Sequence, residues 1–371
     1  MYLCSESKTN EITMKVCIVA GARPNFIKVA PLIRAINRTQ GISYELVYAG
    51  RADDPTLEGT LFDDLQIARP TTFLGVDSTR LNEITGRVMG SFDSYLTEHP
   101  TDAVVVVDDL ASTMAAAIVT KKQGVKLAHL VAGTRSFDIT MPKEVNRLVI
   151  DGLSDLLFTA GMAASSITNR EGAEQSRVYM VGNILIDNLR FNHDRWQRPP
   201  LFDEFQLSEG QYVVFTLNRR ALLRNEENLQ RMIAALTSQQ SVPVVAVLRQ
   251  EAQEVVSRVL SPSAKLLFAP PLPYLQFGYL TKNALGIVTD SGNVAEEATF
   301  NGVPCITLNS YTEHIETVKV GTNVLVGEDA EQLDSALRDM MAGRWKKAAL
   351  PERWDGRTAE RIVRILMESQ A

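Results

Sequence analysis

Cysteine is scarce in this 371-residue chain. Cys4, Cys17 and Cys305 form an odd set with no C-x-x-C spacing, which excludes a disulfide scaffold and a cysteine-built metal ribbon. Cys17 and Cys305 lie inside apolar runs and read as buried reduced thiols. Histidine is also sparse: His99, His129, His193 and His314 have no metal-ligand spacing and no carboxylate cluster completes a set, so no metal is expected. His129, within an apolar run, reads as a core residue. Long apolar runs are missing, which excludes a membrane-crossing helix, and the opening MYLCSESKTNEITMKV lacks the basic-then-apolar order of a secretory signal. A cytoplasmic protein without a membrane partner follows. Positive charge is not in excess: 38 Lys and Arg stand against 44 Asp and Glu, a net −6, so nucleic acid is no default partner. Neither G-x-G-x-x-G, G-x-S-x-G nor G-x-x-x-x-G-K-[ST] occurs.

What is present is a regular alternation. Short Val/Ile/Leu-rich runs end in Gly, Asp, Asn or Ser, and each is followed by a longer amphipathic stretch, the βα rhythm of a parallel sheet covered on both faces. The first half carries KVCIVAG (15–21), YELVYAG (44–50), AVVVVDD (103–109), KLAHLVAG (126–133), DLLFTAG (155–161) and VYMVGN (178–183). The second half carries YVVFTLN (212–218), PVVAVLR (243–249), KLLFAP (265–270), LGIVTDSG (285–292), CITLN (305–309) and NVLVG (323–327). The fold class is therefore α/β, with two doubly wound Rossmann-like domains. Residues 1–13 are expected to be a disordered leader, 14–190 the first domain, 191–210 a linker, 211–355 the second domain and 356–371 a helix packing across the domains. Ligands of such sheets lie beyond the carboxyl ends of the strands, which places one in a cleft between facing domains.

Four segments at strand ends carry chemistry. VTDSGNVAEEATFNGVP (288–304) ends a strand at Thr289 and opens a helix whose first amides point at the preceding loop. Gly292 permits close approach, Ser291 brings a hydroxyl, and Glu296 or Glu297 would accept from ribose hydroxyls, a set that suits a diphosphate. An ordinary helix capped by Asp290 or Ser291 fits the same residues. GARPNFIKVAPLIRAI (21–36) follows the first strand and sets Arg23 and Lys28 either toward a phosphate or into solvent. Pro31 is expected to kink or shorten that helix. AVVVVDDLAST (103–113) puts Asp108 and Asp109 at a strand end, as an acid/base pair or as helix caps. In RSFDITMPKEVNRLVIDGLSDLLF (135–158), Arg135, Asp138, Glu144 and Arg147 form either a site or a solvated face.

From about Lys15 to Ile365 the pieces GARPNFIKVAP, AGTRSFDITMPKEVNR, VGNILIDNL, TLNRR, TDSGNVAEEA, GVP and GTNVLVG resemble, in order, the non-hydrolysing UDP-N-acetylglucosamine 2-epimerases. The resemblance implies the two-domain GT-B fold, no cofactor, UDP or a UDP-N-acetylhexosamine as ligand, and a homodimer or a heteromer with a paralogue. It implies inversion at sugar C2, in which that proton is removed as UDP leaves and both are then added back. Carried over by position, Asp109 is the catalytic aspartate, Arg23, Lys28 and Arg147 contact substrate, Phe277 stacks on uracil, Ser291 and Gly292 hold the diphosphate and Glu297 holds the ribose. The sequence departs from the family pattern where it has Val131, Lys143, Asn218, Ala221, Asn293 and His314, and again at Arg51 and Ala52. Valine carries no proton and asparagine shuttles none near neutral pH, so the acid/base set is rebuilt or impaired. A rebuilt set would draw on Asp108, Asp109, Asp138 and Glu144. A non-catalytic UDP-sugar binder and a GT-B glycosyltransferase or hydrolase are the alternatives.

Overall fold

The computed structural model describes residues 14–57, 59–174, 177–238, 242–261 and 266–370. The leader expected over 1–13, with Cys4, lies outside the described residues. Chain packing divides the protein into two units: one runs to Asn188 and resumes at Asp355, and the other is Leu189–Trp354.

The first unit holds β1 (Met14–Ala20), α1 (Arg23–Asn37), β2 (Ile42–Tyr48), α2 (Leu61–Leu65), β3 (Thr72–Phe73), α3 (Leu81–Glu98), β4 (Ala103–Val107), α4 (Ala111–Lys122), β5 (Lys126–Ala132), α5 (Pro142–Leu153), β6 (Leu156–Thr159), α6 (Met162–Arg170), β7 (Val178–Met180) and the start of α7 (Ile184–Phe191). The strands pair in parallel in the order β3-β2-β1-β4-β5-β6-β7. Successive side chains of a strand point to opposite faces, and here both faces are covered. Cys17, Val19, Val104 and Val106 pack with Val88 and Phe92 of α3 and Ala115 and Ala116 of α4. Their alternates Val16, Ile18 and Val105 are equally buried. Each such valine contributes ~1.5 kcal/mol or more by leaving water. This is why the strands read as unbroken apolar runs. β3, two residues long, is too short to leave a pattern. α1 is not shortened at Pro31: it runs on to Asn37. Phe26, Val29, Leu32 and Ile33, all fully buried, hold it in place.

The second unit holds α8 (Leu201–Glu204), β8 (Val213–Phe215), α9 (Arg220–Arg224), α10 (Glu226–Ser238), β9 (Val244–Val247), α11 (Gln250–Val259), β10 (Leu267–Ala269), α12 (Tyr274–Lys282), β11 (Gly286–Thr289), α13 (Gly292–Asn301), β12 (Cys305–Thr307), α14 (Ile315–Lys319), β13 (Asn323–Leu325) and α15 (Ala330–Met341). Its parallel strands run β10-β9-β8-β11-β12-β13. Val213 and Phe215 face one core with α10 and α15, and Val214 faces the other with Ala295 and Ala298 of α13. The stretch 191–210 does more than connect, since Leu201, Phe202 and Leu207 sit in that second core. The closing helix α16 (Thr358–Glu368) belongs to the first unit, where it packs on α1. Its first amides, of Thr358 and Ala359, donate to Asp187 at 3.1 and 2.8 Å. In each sheet the strand order reverses once, between β1 and β4 and between β8 and β11, the position at which sheets of this kind bind ligands.

Candidate active site

In the first unit the reversal point gathers the expected residues. Asp109 follows β4 and is 9% exposed. Arg147 on α5 donates to its Oδ2 through Nε at 2.8 Å and Nη2 at 2.5 Å. Lys143 stands 3.5 Å from Oδ1, and Asn146 holds the Asp109 carbonyl at 2.8 Å. Burial disfavours the charged carboxylate, but Lys143, Arg147 and Lys28 outweigh it and keep Asp109 below the usual range. Glu144 is buried beside Arg147, 3.3 Å from its Nη1, and accepts from Ser136 N and Oγ and from Phe137 N. Asp138 is not drawn in: on an exposed loop, it accepts from Thr140 N and Oγ1.

Asp108 has a φ of +59°. Its carboxylate accepts from Lys28 Nζ at 2.5 Å and from Asn25 Nδ2 at 2.9 Å, so Lys28 is neither solvated nor isolated. Neither aspartate caps α4, whose N-cap is Leu110 with no side-chain bond. The Asp108 carbonyl lies 2.9 Å from His129 Nε2. His129 is buried as expected, but as part of a polar network: its Nδ1 is 2.5 Å from Asp151, which also binds Arg135 at 2.7 Å and the Gly133 amide at 3.0 Å. Burial opposes ionisation of Asp151, and His129 and Arg135 overcome it. Val131, between His129 and Gly133, sits on a β-bulge with φ +72°, a left-handed conformation that is costly for a β-branched residue. Beside these residues, a cavity of about 550 Å³ opens at the ends of β1, β2 and β4, lined by Gly21, Tyr48, Arg51, Asp54, Asp77 and Leu110 among others.

In the second unit the reversal point is built around Asp290. Its Oδ2 accepts from the amides of Asn218 and Arg219 at 2.7 and 2.6 Å, tying the loop after β8 to the end of β11. Burial pushes its carboxyl up despite those donors. With Asp290 committed there, α13 starts at Ser291 with no side-chain cap. Gly292 is required at the first turn: a Cβ would lie 2.6 Å from His314 Cδ2. His314 Nδ1 is 2.8 Å from Glu296, which is 3% exposed, and Glu297 beside it is also buried. Phe277, on α12, packs partly buried against the adjacent core. Arg23 is half-buried at the start of α1.

No spacing rule links Lys28 to Asp108 or His129 to Asp151. Glu144, Arg147 and Asp151, however, recur at helical spacing on α5, and that polar stripe was the available signal for a buried network.

Two parallel doubly wound sheets, each with polar residues at its reversal point, define an α/β protein of the two-sheet, ligand-binding class. The sequence model of the family described as UDP-N-acetylglucosamine 2-epimerase matches residues 34–367. The UDP-N-acetylglucosamine 2-epimerase of Methanocaldococcus jannaschii is 33% identical, covering 95% of this chain and 99% of that protein. A UDP-2,3-diacetamido-2,3-dideoxy-D-glucuronate 2-epimerase of Pseudomonas aeruginosa is 31% identical, over 88% of this chain and 92% of its own length. The crystal structure of the M. jannaschii UDP-GlcNAc 2-epimerase in complex with UDP-GlcNAc and UDP superposes with a TM-score of 0.85 at 32% identity, covering 96% of this chain and 100% of that one. The chain belongs to the UDP-N-acetylglucosamine 2-epimerase family. Among the described residues, no helix is long and apolar enough to cross a membrane.

Proposed function

We propose that this protein binds UDP-N-acetylglucosamine and inverts its C2 centre by elimination and re-addition of UDP, with an acid/base set reduced from the family pattern. The observation that carries the reading is the uncapped N-terminus of α13 at the reversal point of the second sheet, where Ser291 and Gly292 open a helix suited to a diphosphate. Glu297 then takes the ribose hydroxyls and Phe277 stacks on uracil. In the first unit Asp109, held by Arg147, is the group that takes the C2 proton, while Arg23 and Lys28 contact the sugar side; the cations that keep it ionised also lower its basicity, so the transfer draws on its position and not on a raised pKa. Removal of the proton and departure of UDP from C1 leave an unsaturated sugar. Protonation of C2 on the other face by a second acid of the rebuilt set, with UDP rejoining C1 and the proton taken by Asp109 passing to solvent, completes the inversion.

Val131 and Asn218 favour a second reading, a UDP-sugar binder without turnover, because neither side chain transfers a proton. One experiment separates the two: incubation with UDP-N-acetylglucosamine in deuterated water, followed by proton NMR of C2. Exchange or the manno epimer supports the enzyme, and Asp109→Asn should then abolish it with UDP affinity unchanged. Saturable binding without exchange selects the second reading, and absence of UDP binding overturns both.

A further inference from the structure

The Lys28–Asp108 pair bears on which sugar the first unit accepts. Both side chains are nearly out of water, 7% and 15% exposed, and they meet at 2.5 Å. Asn25 completes the arrangement, with its Nδ2 donating to the other Asp108 oxygen while its Oδ1 accepts from the amides of Gly21 and Ala22 at 2.8 and 3.2 Å. A left-handed φ of +59° is cheapest for glycine, so a side chain here is held at a conformational cost. It is held firmly: His129 fixes the carbonyl of the same residue. The carboxylate therefore occupies the place that an external anion would take on a buried cation. The adjoining cavity extends the same charge pattern. Its wall carries Asp53, Asp54 and Asp77 with Arg51, and Arg51 is itself matched by Asp53 at 2.5 Å and Asp77 at 3.3 Å.

We propose that Asp108 is an internal counter-anion that cancels Lys28, so that the first unit selects a nucleotide sugar with an uncharged sugar ring and rejects one bearing a carboxylate. This rests on the UDP-sugar reading above and names the substrate class within it. A uronate placed here meets carboxylates whose cations are already matched, whereas hydroxyl and acetamido groups meet acceptors they can satisfy. Asp108, and not the family-wide diphosphate site, is then the specificity-determining residue.

The test is calorimetric titration of UDP, UDP-N-acetylglucosamine and the matching UDP-N-acetylglucosaminuronate into wild type, Asp108→Asn and Asp108→Gly. Both replacements tolerate the left-handed backbone, and thermal melting confirms that each is folded. The double variant Lys28→Met/Asp108→Asn, which removes both charges, is the control in case an unpaired Lys28 unfolds the single variants. Wild type should prefer the neutral sugar by about tenfold or more, and both single variants should cut that preference by about tenfold through tighter uronate binding. The double variant also loses the sugar contact of Lys28, so it should bind both sugars more weakly while keeping the wild-type ratio between them. Equal affinity of wild type for the two sugars overturns the inference, as does an unchanged ratio in the folded single variants. If the single variants do not fold, a double variant that has lost the preference overturns it. If UDP binds and only the ratio fails to respond, the inference alone is lost; if UDP itself does not bind, the proposed function falls and takes the inference with it.

Discussion

Replacing Arg147 by methionine probes the electrostatic frame of the first unit, because it removes one cation from two carboxylates and leaves an unbranched apolar stem in place of the arginine stem. The Arg147 side chain is 3% exposed, and those of Asp109 and Glu144 are 12% and 4% exposed. Breaking a buried pair by deleting one partner costs ~3–5 kcal/mol, since the remaining charge stays desolvated. Lys143 at 3.5 Å from Asp109 and the Ser136 donors to Glu144 soften the loss. We therefore expect destabilisation of about 3 kcal/mol at neutral pH. The sign of its pH dependence follows from Asp109. In wild type its folded pKa is depressed, so its stabilisation is present above the unfolded value and is lost as pH falls through the folded one. In the variant, burial acts with one fewer opposing cation and the carboxyl moves upward, so the deficit is largest at neutral pH and shrinks on acidification. Urea unfolding of both proteins at about pH 7.5 and about pH 5 measures this directly. Adding Asp109→Asn to the variant should restore part of the stability, because no ionised group is then left unpaired at that position. A deficit under about 1 kcal/mol at neutral pH, or one that does not change with pH, would refute the reasoning.

Two further perturbations test other parts of the structure. Asp187 caps α16, and burial raises its carboxyl from 3.8 to about 6. The folded state therefore keeps this proton longer than the unfolded one, and wild type should lose on the order of 3 kcal/mol between about pH 4 and about pH 6 that Asp187→Asn does not lose. Parallel stability curves for the two proteins across that range would reject the assignment. Gly292→Ala places a methyl 2.6 Å from His314 Cδ2 and 2.8 Å from its Nε2 and disturbs the start of α13. The melting temperature should fall, UDP affinity of the folded protein should drop about tenfold or more, and an unchanged dissociation constant would show that ligand does not approach this turn.

The amino-acid order alone determined the α/β class and twelve of the strands, because a strand buried on both faces must be apolar at every position, as in Val104–Val107. It also marked the strand ends where polar residues collect, since Asp108, Asp109, Asp290 and Ser291 each interrupt or follow an apolar run. What those residues do was decided in three dimensions. Asp108 and Asp109 were legible as acids but not as the partners of Lys28 and Arg147, because each pair joins segments brought together only when α1, the end of β4 and α5 meet at one end of the sheet. Asp290 looked like a cap and is instead a tether for the loop after β8. His129 looked like a core residue and is the buried link between Asp151 and the Asp108 carbonyl. Apolar periodicity is a local property that a chain writes along its length, whereas the partner of a buried charge is set by long-range packing, and only the tertiary structure supplies it.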